Sequence, residues 1–173
     1  VTITSSTGTG YYATDMRQYV KQENLGALLL KDDLKIDRQY FKLGTTKLEN
    51  GQLTLLPGES AINEAEAGQM VKVVLTIETK SYRKFVMVED PIPSNCRIND
   101  RGDLESFDDW GWWWAQTVVR DDRAAFFITS LPPGKHLLTY VMRAENPGIG
   151  HAMPTVVSNM YDPDSRASSA ETF

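Results

Sequence analysis

Residues 121–163, DDRAAFFITSLPPGKHLLTYVMRAENPGIGHAMPTVVSNMYDP, contain three strand-like runs separated by turn residues. Residues 125–130 are short and apolar. Pro132-Pro133-Gly134 reads as a turn, because proline fixes φ and lacks a donor while glycine tolerates positive φ. Residues 136–144 form the best strand in the chain. Leu138, Tyr140 and Met142 fall on one face, and Leu137, Thr139, Val141 and Arg143 on the other. This period of two is what a strand needs to bury one face. Asn146-Pro147-Gly148 turns the chain again. Residues 155–161 then return, and Met160-Tyr161 closes the final strand just before Asp162-Pro163, where proline stops the ladder.

The same pattern extends upstream. Residues 34–43 read as a strand with Leu34, Ile36 and Tyr40 inward, followed by a turn at Glu49-Asn50-Gly51, a strong hairpin signal. Residues 69–79 place Val71, Val73, Leu75 and Ile77 on one face and Lys72, Thr76 and Glu78 on the other; residues 82–89 are expected to pair with them. Asp90-Pro91-Ile92-Pro93 is expected to leave the sheet. Regular strands, turn punctuation and few helix signals predict an all-β fold, an antiparallel β-sandwich with at most one short helix. Its expected core includes Ile36, Tyr40, Val73, Leu75, Ile77, Phe127, Leu138 and Tyr140. Residues 11–163 form the sandwich; residues 1–10 are a strand that could belong to a preceding domain; residues 164–173, rich in Ser, Ala and charge, are expected to be a flexible tail. The chain begins at Val1 rather than Met, which is read as an excised piece of a longer protein.

At 173 residues and 41% hydrophobic, the chain is sized for one large domain with a core. The net charge of −5, with Lys and Arg scattered, argues against a nucleic-acid partner. No window approaches the roughly 20 apolar residues of a membrane span. One cysteine, Cys96, can form neither an internal disulfide nor a cysteine-based zinc site.

No residue set reads as catalytic. His136 and His151 are the only histidines and belong to no metal-ligand cluster. No Gly-x-Ser-x-Gly elbow is present. Cys96 reads as an ordinary cysteine near a strand edge. No cofactor or metal is expected. Arg120-Asp121-Asp122-Arg123 reads as an ion-pair network that orders a turn, and Arg101-Gly102-Asp103 as a chance tripeptide. Trp110, Trp112, Trp113 and Trp114 crowd into five residues. They offer a protein or glycan contact, or else cover an open end of the sandwich. Adjacent strand residues point opposite ways, so the four cannot share one core.

Taken together, Arg120-Asp121-Asp122-Arg123, Phe126-Phe127, Leu131, Gly134, Tyr140, Arg143-Ala144, Pro147-Gly148, Pro154, Met160-Tyr161 and Pro163 resemble, in order and spacing, the C-terminal, macroglobulin-like (MG10-type) domain of bacterial alpha-2-macroglobulins. Upstream, LKIDRQY, GQMVKVVLTI and VEDPIP are similar to its earlier strands. The resemblance implies a non-catalytic domain of a broad-range protease inhibitor, which traps proteases through the full-length protein. Such proteins are typically periplasmic and often lipid-anchored to the inner membrane. Partners of the domain would be neighbouring domains of the same parent chain. In thioester-bearing members the Met-Tyr segment packs on the thioester domain and shields the bond, which casts Met160 and Tyr161 as an interdomain site. Their other reading is that they merely finish the last strand. The thioester-type Cys-x-x-Gln motif is absent after Cys96, so a thioester would lie elsewhere in the parent. A different reading of the same chain is a carbohydrate-binding or structural β-sandwich module of a surface protein.

Overall fold

The computed structural model describes residues 28–29, 33–47, 53–98 and 115–172. They form β1 (Leu28–Leu29), β2 (Lys35–Lys47), β3 (Leu53–Ala61), β4 (Met70–Thr79), β5 (Arg83–Pro91), β6 (Cys96–Ile98), β7 (Ala115–Val119), β8 (Arg123–Leu131), β9 (Gly134–Ala144), β10 (Val156–Asn159) and β11 (Asp162–Ser168). Two antiparallel sheets result, ordered β1-β11-β10-β5-β8-β7 and β3-β2-β4-β9-β6. No helix occurs among the described residues, and the fold is an all-β sandwich. Residues 1–10, Arg101-Gly102-Asp103 and the four tryptophans lie outside the described residues.

Alternation sets the core. Val71, Val73, Leu75 and Ile77 of β4 are buried, and the residues between them are only partly covered. Leu138, Tyr140 and Met142 of β9 face the same core, with Leu75 opposite Leu138 and Val73 opposite Tyr140. From the other sheet come Val86 and Val88 of β5, Ala124, Phe126 and Ile128 of β8, and Val157 of β10. Phe126 and Tyr140 meet across the two sheets with ring centroids 6.3 Å apart. Phe126, not Phe127, is the buried ring: Phe127 sits on the half-covered outer face opposite Met87. A run of apolar residues at 124–128 leaves the parity of β8 open in sequence; its register against Val86 and Val88 fixes it.

Short connections cross between the sheets, one of them where sequence suggested strand pairing. β5 does not pair with β4; it lies in the opposite sheet between β10 and β8. Pro132-Pro133 likewise carries the chain from β8 in one sheet to β9 in the other. A two-stranded hairpin there would leave one apolar face of each strand bare, whereas crossing puts both on a shared core. The β2–β3 hairpin forms as expected, with Lys47 opposite Leu53. Pro57 sits within β3, tolerated because β3 is an edge strand. Asp90 and Pro91 stay in β5 rather than leaving it.

The expected flexible tail is a strand. β11 pairs with β10, and Ser165, Ala167 and Ser169 are buried. Ala152 and Thr172 then bridge, with N–H···O distances of 2.9 and 3.1 Å. Serine and alanine read as tail composition, but small side chains at alternate positions are also what fits a closely packed sheet face.

One buried ion pair holds these pieces together. Arg38 occupies an inward position of β2, and Asp90 of β5 is fully buried opposite it, with Nη1 to Oδ1 at 2.7 Å. The guanidinium also donates to the carbonyls of Met153 at 3.0 Å and Ala152 at 3.2 Å, and to Thr172 Oγ1 at 2.8 Å. Asp90 in turn accepts from Thr155 Oγ1 at 2.8 Å and Tyr140 Oη at 2.7 Å. Burial, then the nearby Asp90 charge and its hydrogen bond, pushes the Tyr140 hydroxyl well above its ordinary range. Burial, the largest cause, pushes Tyr40 up to about 12.

Two expectations follow. Asp90→Ala leaves Arg38 charged and unpaired in the interior and lowers stability by about 3–5 kcal/mol, whereas Arg38→Met with Asp90→Leu recovers much of that loss; urea denaturation of the single and double variants reads both. In alkali, Tyr40 and Tyr140 release their protons in the unfolded chain near the ordinary tyrosine value of 10.0 but hold them longer when folded. The folded state therefore binds more protons, so stability is intact below pH 10 and declines as pH rises from there towards 12. Tyr40→Phe flattens that decline, followed by denaturation midpoints across the range.

Candidate functional site

Two exposed apolar residues occupy the turn between β10 and β11. β10 pairs with β5 from Val156 opposite Glu89 to Asn159 opposite Val86, and its register with β11 shifts at Ser158–Asn159. The chain then turns through Met160 and Tyr161 before β11 starts at Asp162. The pair thus forms the tip of a hairpin, not the end of the final strand as its sequence position suggested. Pro163 does not stop the ladder, because β11 pairs onward with β1. Met160 is 46% and Tyr161 77% exposed, so neither fills the sandwich.

The tip is held rather than loose. Met160 N–H donates to the Phe85 carbonyl at 2.9 Å, Asn159 Nδ2 donates to the Lys84 carbonyl at 3.2 Å, and Tyr161 N–H donates to Asn159 Oδ1 at 3.0 Å. The Tyr161 ring meets the Phe85 ring edge to face, with centroids 5.3 Å apart and planes at 89°. Edge-to-face pairs contribute about 0.5–1.5 kcal/mol beyond the area they bury. Phe85 itself has φ of 55°. A left-handed backbone costs a bulky non-glycine residue roughly 1–3 kcal/mol and persists only where its surroundings enforce it.

Those surroundings are polar and tightly bonded. Arg83, buried at the start of β5, donates from Nε to Thr79 Oγ1 at 3.0 Å and from Nη1 to Ser165 Oγ of β11 at 2.6 Å, and it pairs with Asp33. Asp33 also accepts from Ser81 Oγ at 2.6 Å and Lys80 N–H at 2.9 Å. The Ser81 hydrogen bond, with Arg83 beside it, holds the Asp33 carboxyl below its usual range. The β4–β5 crossover is thereby pinned to β11 immediately beside the tip. Tyr82, half exposed, belongs to the same crossover.

Comparison with known proteins places this architecture. Residues 34–164 match the family described as the bacterial alpha-2-macroglobulin MG10 domain. The chain belongs to this family. Its fold is similar to that of Salmonella alpha-2-macroglobulin reacted with methylamine, at 20% identity and a TM-score of 0.59 over 86% of this chain and 10% of that one. Trypsin-activated alpha-2-macroglobulin from Escherichia coli is similar at 19% identity and a TM-score of 0.61, over 82% and 10% of the two chains. A native Escherichia coli alpha-2-macroglobulin fragment from domain MG7 to the C-terminus is similar at 20% identity and a TM-score of 0.59, over 84% and 23%. A Dictyostelium discoideum protein, circularly permutated Ras protein 2, is 28% identical over 132 residues. This chain spans 76% of its own length in that match but 3% of the Dictyostelium protein, and about a tenth of the full alpha-2-macroglobulin chains. It matches a domain-sized portion of much larger relatives.

The other candidates in this MG10 domain are structural. Arg123, half-buried, bridges Asp122 and Glu89 at 3.0 Å each, and Ile92 N–H donates to the Asp122 carbonyl at 3.0 Å. The Arg120–Arg123 run therefore orders the entry to β8. His136 contacts the Pro132 carbonyl at 2.9 Å, and His151 pairs with Glu171 at 2.8 Å. No group of three metal-ligating side chains occurs among the described residues. Cys96 starts β6, an edge strand, and lines a cleft of about 550 Å³ with Tyr40, Ile62, Pro93, Met142 and Ile149 at the opposite end from the tip. Burial pushes its thiol up, with Glu145 adding to the shift, which is the reverse of what a nucleophile needs. Sequence reading missed Phe85 and Arg83. A phenylalanine gives no hint that its φ is positive, and an arginine at a strand start reads as exposed.

Because the tip contributes little burial, Met160→Ala and Tyr161→Ala should each change unfolding free energy by less than about 1 kcal/mol, whereas Phe126→Ala should cost about 3–5 kcal/mol. Chemical denaturation of the three variants separates an exposed tip from a core element.

Proposed function

We propose that this chain is the non-catalytic C-terminal domain of a bacterial alpha-2-macroglobulin, a protease inhibitor of the periplasm, and that its Met160–Tyr161 tip docks on the neighbouring thioester domain where the parent has one. The observation that carries this reading is the tip itself. Two large apolar side chains stand exposed on a hairpin whose backbone is fixed by Phe85, Lys84 and Asn159. Large exposed apolar groups on a rigid mount mark a contact surface rather than a core. A thioester persists only if water and amines are kept from it, and a thioether beside a phenol ring makes a compact apolar cover.

Solved relatives point the same way. Alpha-2-macroglobulins similar to this chain have been captured native, reacted with methylamine, and activated by trypsin or porcine elastase. The role we assign is mechanical: the domain rests on its neighbour before a protease cuts the parent and separates from it afterwards. Enzymatic work is no part of this role. A thioether, a phenol and a phenyl ring offer neither a nucleophile activated by a base nor a ligand set.

In a full-length parent bearing a thioester, Met160→Ala with Tyr161→Ala is expected to speed methylamine inactivation and the accompanying release of free thiol, while the isolated domain keeps its stability. Equal rates in the double variant and the wild type would sink the docking reading. A parallel loss of several kcal/mol in the isolated domain would return the pair to a structural role.

A further inference from the structure

The left-handed backbone at Phe85, with φ of 55°, interrupts the β5–β8 ladder: Lys84 faces Ser130 and Val86 faces Ile128, and Phe85 between them has no registered partner, so strand pairing does not hold it there. Glycine adopts that conformation freely and asparagine or aspartate tolerate it, whereas for a bulky side chain it is an outlier. Burial does not explain it either, since Phe85 is 42% exposed and adds little to the core. What the conformation accomplishes is local. Two consecutive residues of β5 reach three consecutive residues of the tip: the Lys84 carbonyl accepts from Asn159, the Phe85 carbonyl accepts from Met160, and the Phe85 ring meets the Tyr161 ring. Arg83, immediately before them, is fastened to Thr79, Ser165 and Asp33.

We propose that Phe85 is a positioning residue, held in a strained conformation so that its ring fixes Tyr161 in one orientation before the tip meets the neighbouring domain. The proposal rests on the docking reading given above and adds the means by which docking is prepared. An exposed tyrosine that turns freely loses that freedom on binding, whereas one already held by a neighbour gives up less and leaves more slowly. Strain at a single residue is kept only where its surroundings enforce it, and it gathers at contacts that are prepared in advance. A glycine would relax the backbone at this position but abandon the ring. A leucine would keep the strain and bulk but lose the edge-to-face contact.

The test uses three variants, Phe85→Gly, Phe85→Leu and Phe85→Tyr, read by NMR on the isotope-labelled chain and by hydrogen exchange in the full-length parent. In the wild type and in Phe85→Tyr, the Tyr161 ring signals carry the ring-current shift of their neighbour. In Phe85→Gly and Phe85→Leu they move to the positions of a free tyrosine, while amide protection at Val73 and Val88 is unchanged. In the parent, amides of residues 159–162 exchange more slowly than in the isolated chain. That protection falls several-fold in the Gly and Leu variants and returns with Tyr. Unaltered Tyr161 signals in Phe85→Gly overturn the proposal. So does a freed ring without any change in exchange in the parent, since Phe85 would then hold Tyr161 to no purpose in docking. If wild-type exchange at 159–162 is the same in parent and isolated chain, the docking reading itself falls. The ring signals then still report whether Phe85 holds Tyr161, so the two failures are told apart.

Discussion

The fold is organised around a charge in the wrong place. Arg38 sits at an inward position of β2, between Ile36 and Tyr40, where alternation calls for an apolar side chain. An unpaired guanidinium there would be prohibitive. Asp90 makes it tolerable, and Asp90 comes from β5 in the opposite sheet. The ion pair therefore spans the sandwich. It can form only when the two sheets are stacked in one register, because the remaining donors and acceptors come from β9, from the segment before β10 and from the chain end at Thr172. A pair of this kind adds little net stability compared with an apolar substitute, but it penalises every misaligned arrangement. Apolar side chains could slide past one another; this network cannot.

The same network explains why the last residues are ordered. Nothing in the run from Asp164 to Thr172 is strongly apolar, and its serines and alanines contribute little burial each. Thr172 accepts from Arg38 and bridges Ala152, while Ser169 exchanges hydrogen bonds with Thr155. β11 is thus clamped at its far end by polar contacts. At its near end Ser165 receives Arg83. Both clamps use arginines of other strands, Arg38 within β2 and Arg83 at the start of β5, to capture a strand that could not hold itself by hydrophobic contact.

The contrast marks what sequence could and could not disclose. β4 was legible because it buries one face only, so Val71 to Ile77 alternate cleanly; β9 was legible from its apolar parity at Leu138, Tyr140 and Met142, although Thr139 and Val141 on its other face are buried as well. β8 was legible as a strand but not in parity, since apolar residues occupy both faces and only the partner strand decides that Phe126 goes in. Which sheet β5 joins could not be read, because a short link serves a hairpin and a crossover equally well. Nothing in the sequence singles out Arg38, Arg83 or Asp90 as buried, since burial of a charge depends on a partner 52 residues away for Arg38 and one 50 residues away for Arg83. Met160 and Tyr161 were found through resemblance, and alternation assigned them to a strand end. Their actual place on a hairpin tip depends on β11, which composition disguised as a tail.

That misplacement bears on how the domain can work. A side chain at the end of a last strand is attached on one side only and would move with the chain terminus. A hairpin tip is tethered from both strands, and here one of them, β10, lies in the sheet interior against β5. Force applied at Tyr161 is therefore passed into β5, and through Asp90 at its far end into Arg38 and the opposite sheet. On the docking role proposed above, the domain acts as a lever of fixed shape, with the proposed contact surface at one end and the Arg38–Asp90 interlock at the other. Such a body can seat on a neighbour or leave it as a unit, without any rearrangement inside. A protein that must hold a reactive group covered and then expose it all at once is better served by a rigid cover than by a flexible one, because partial opening would admit water.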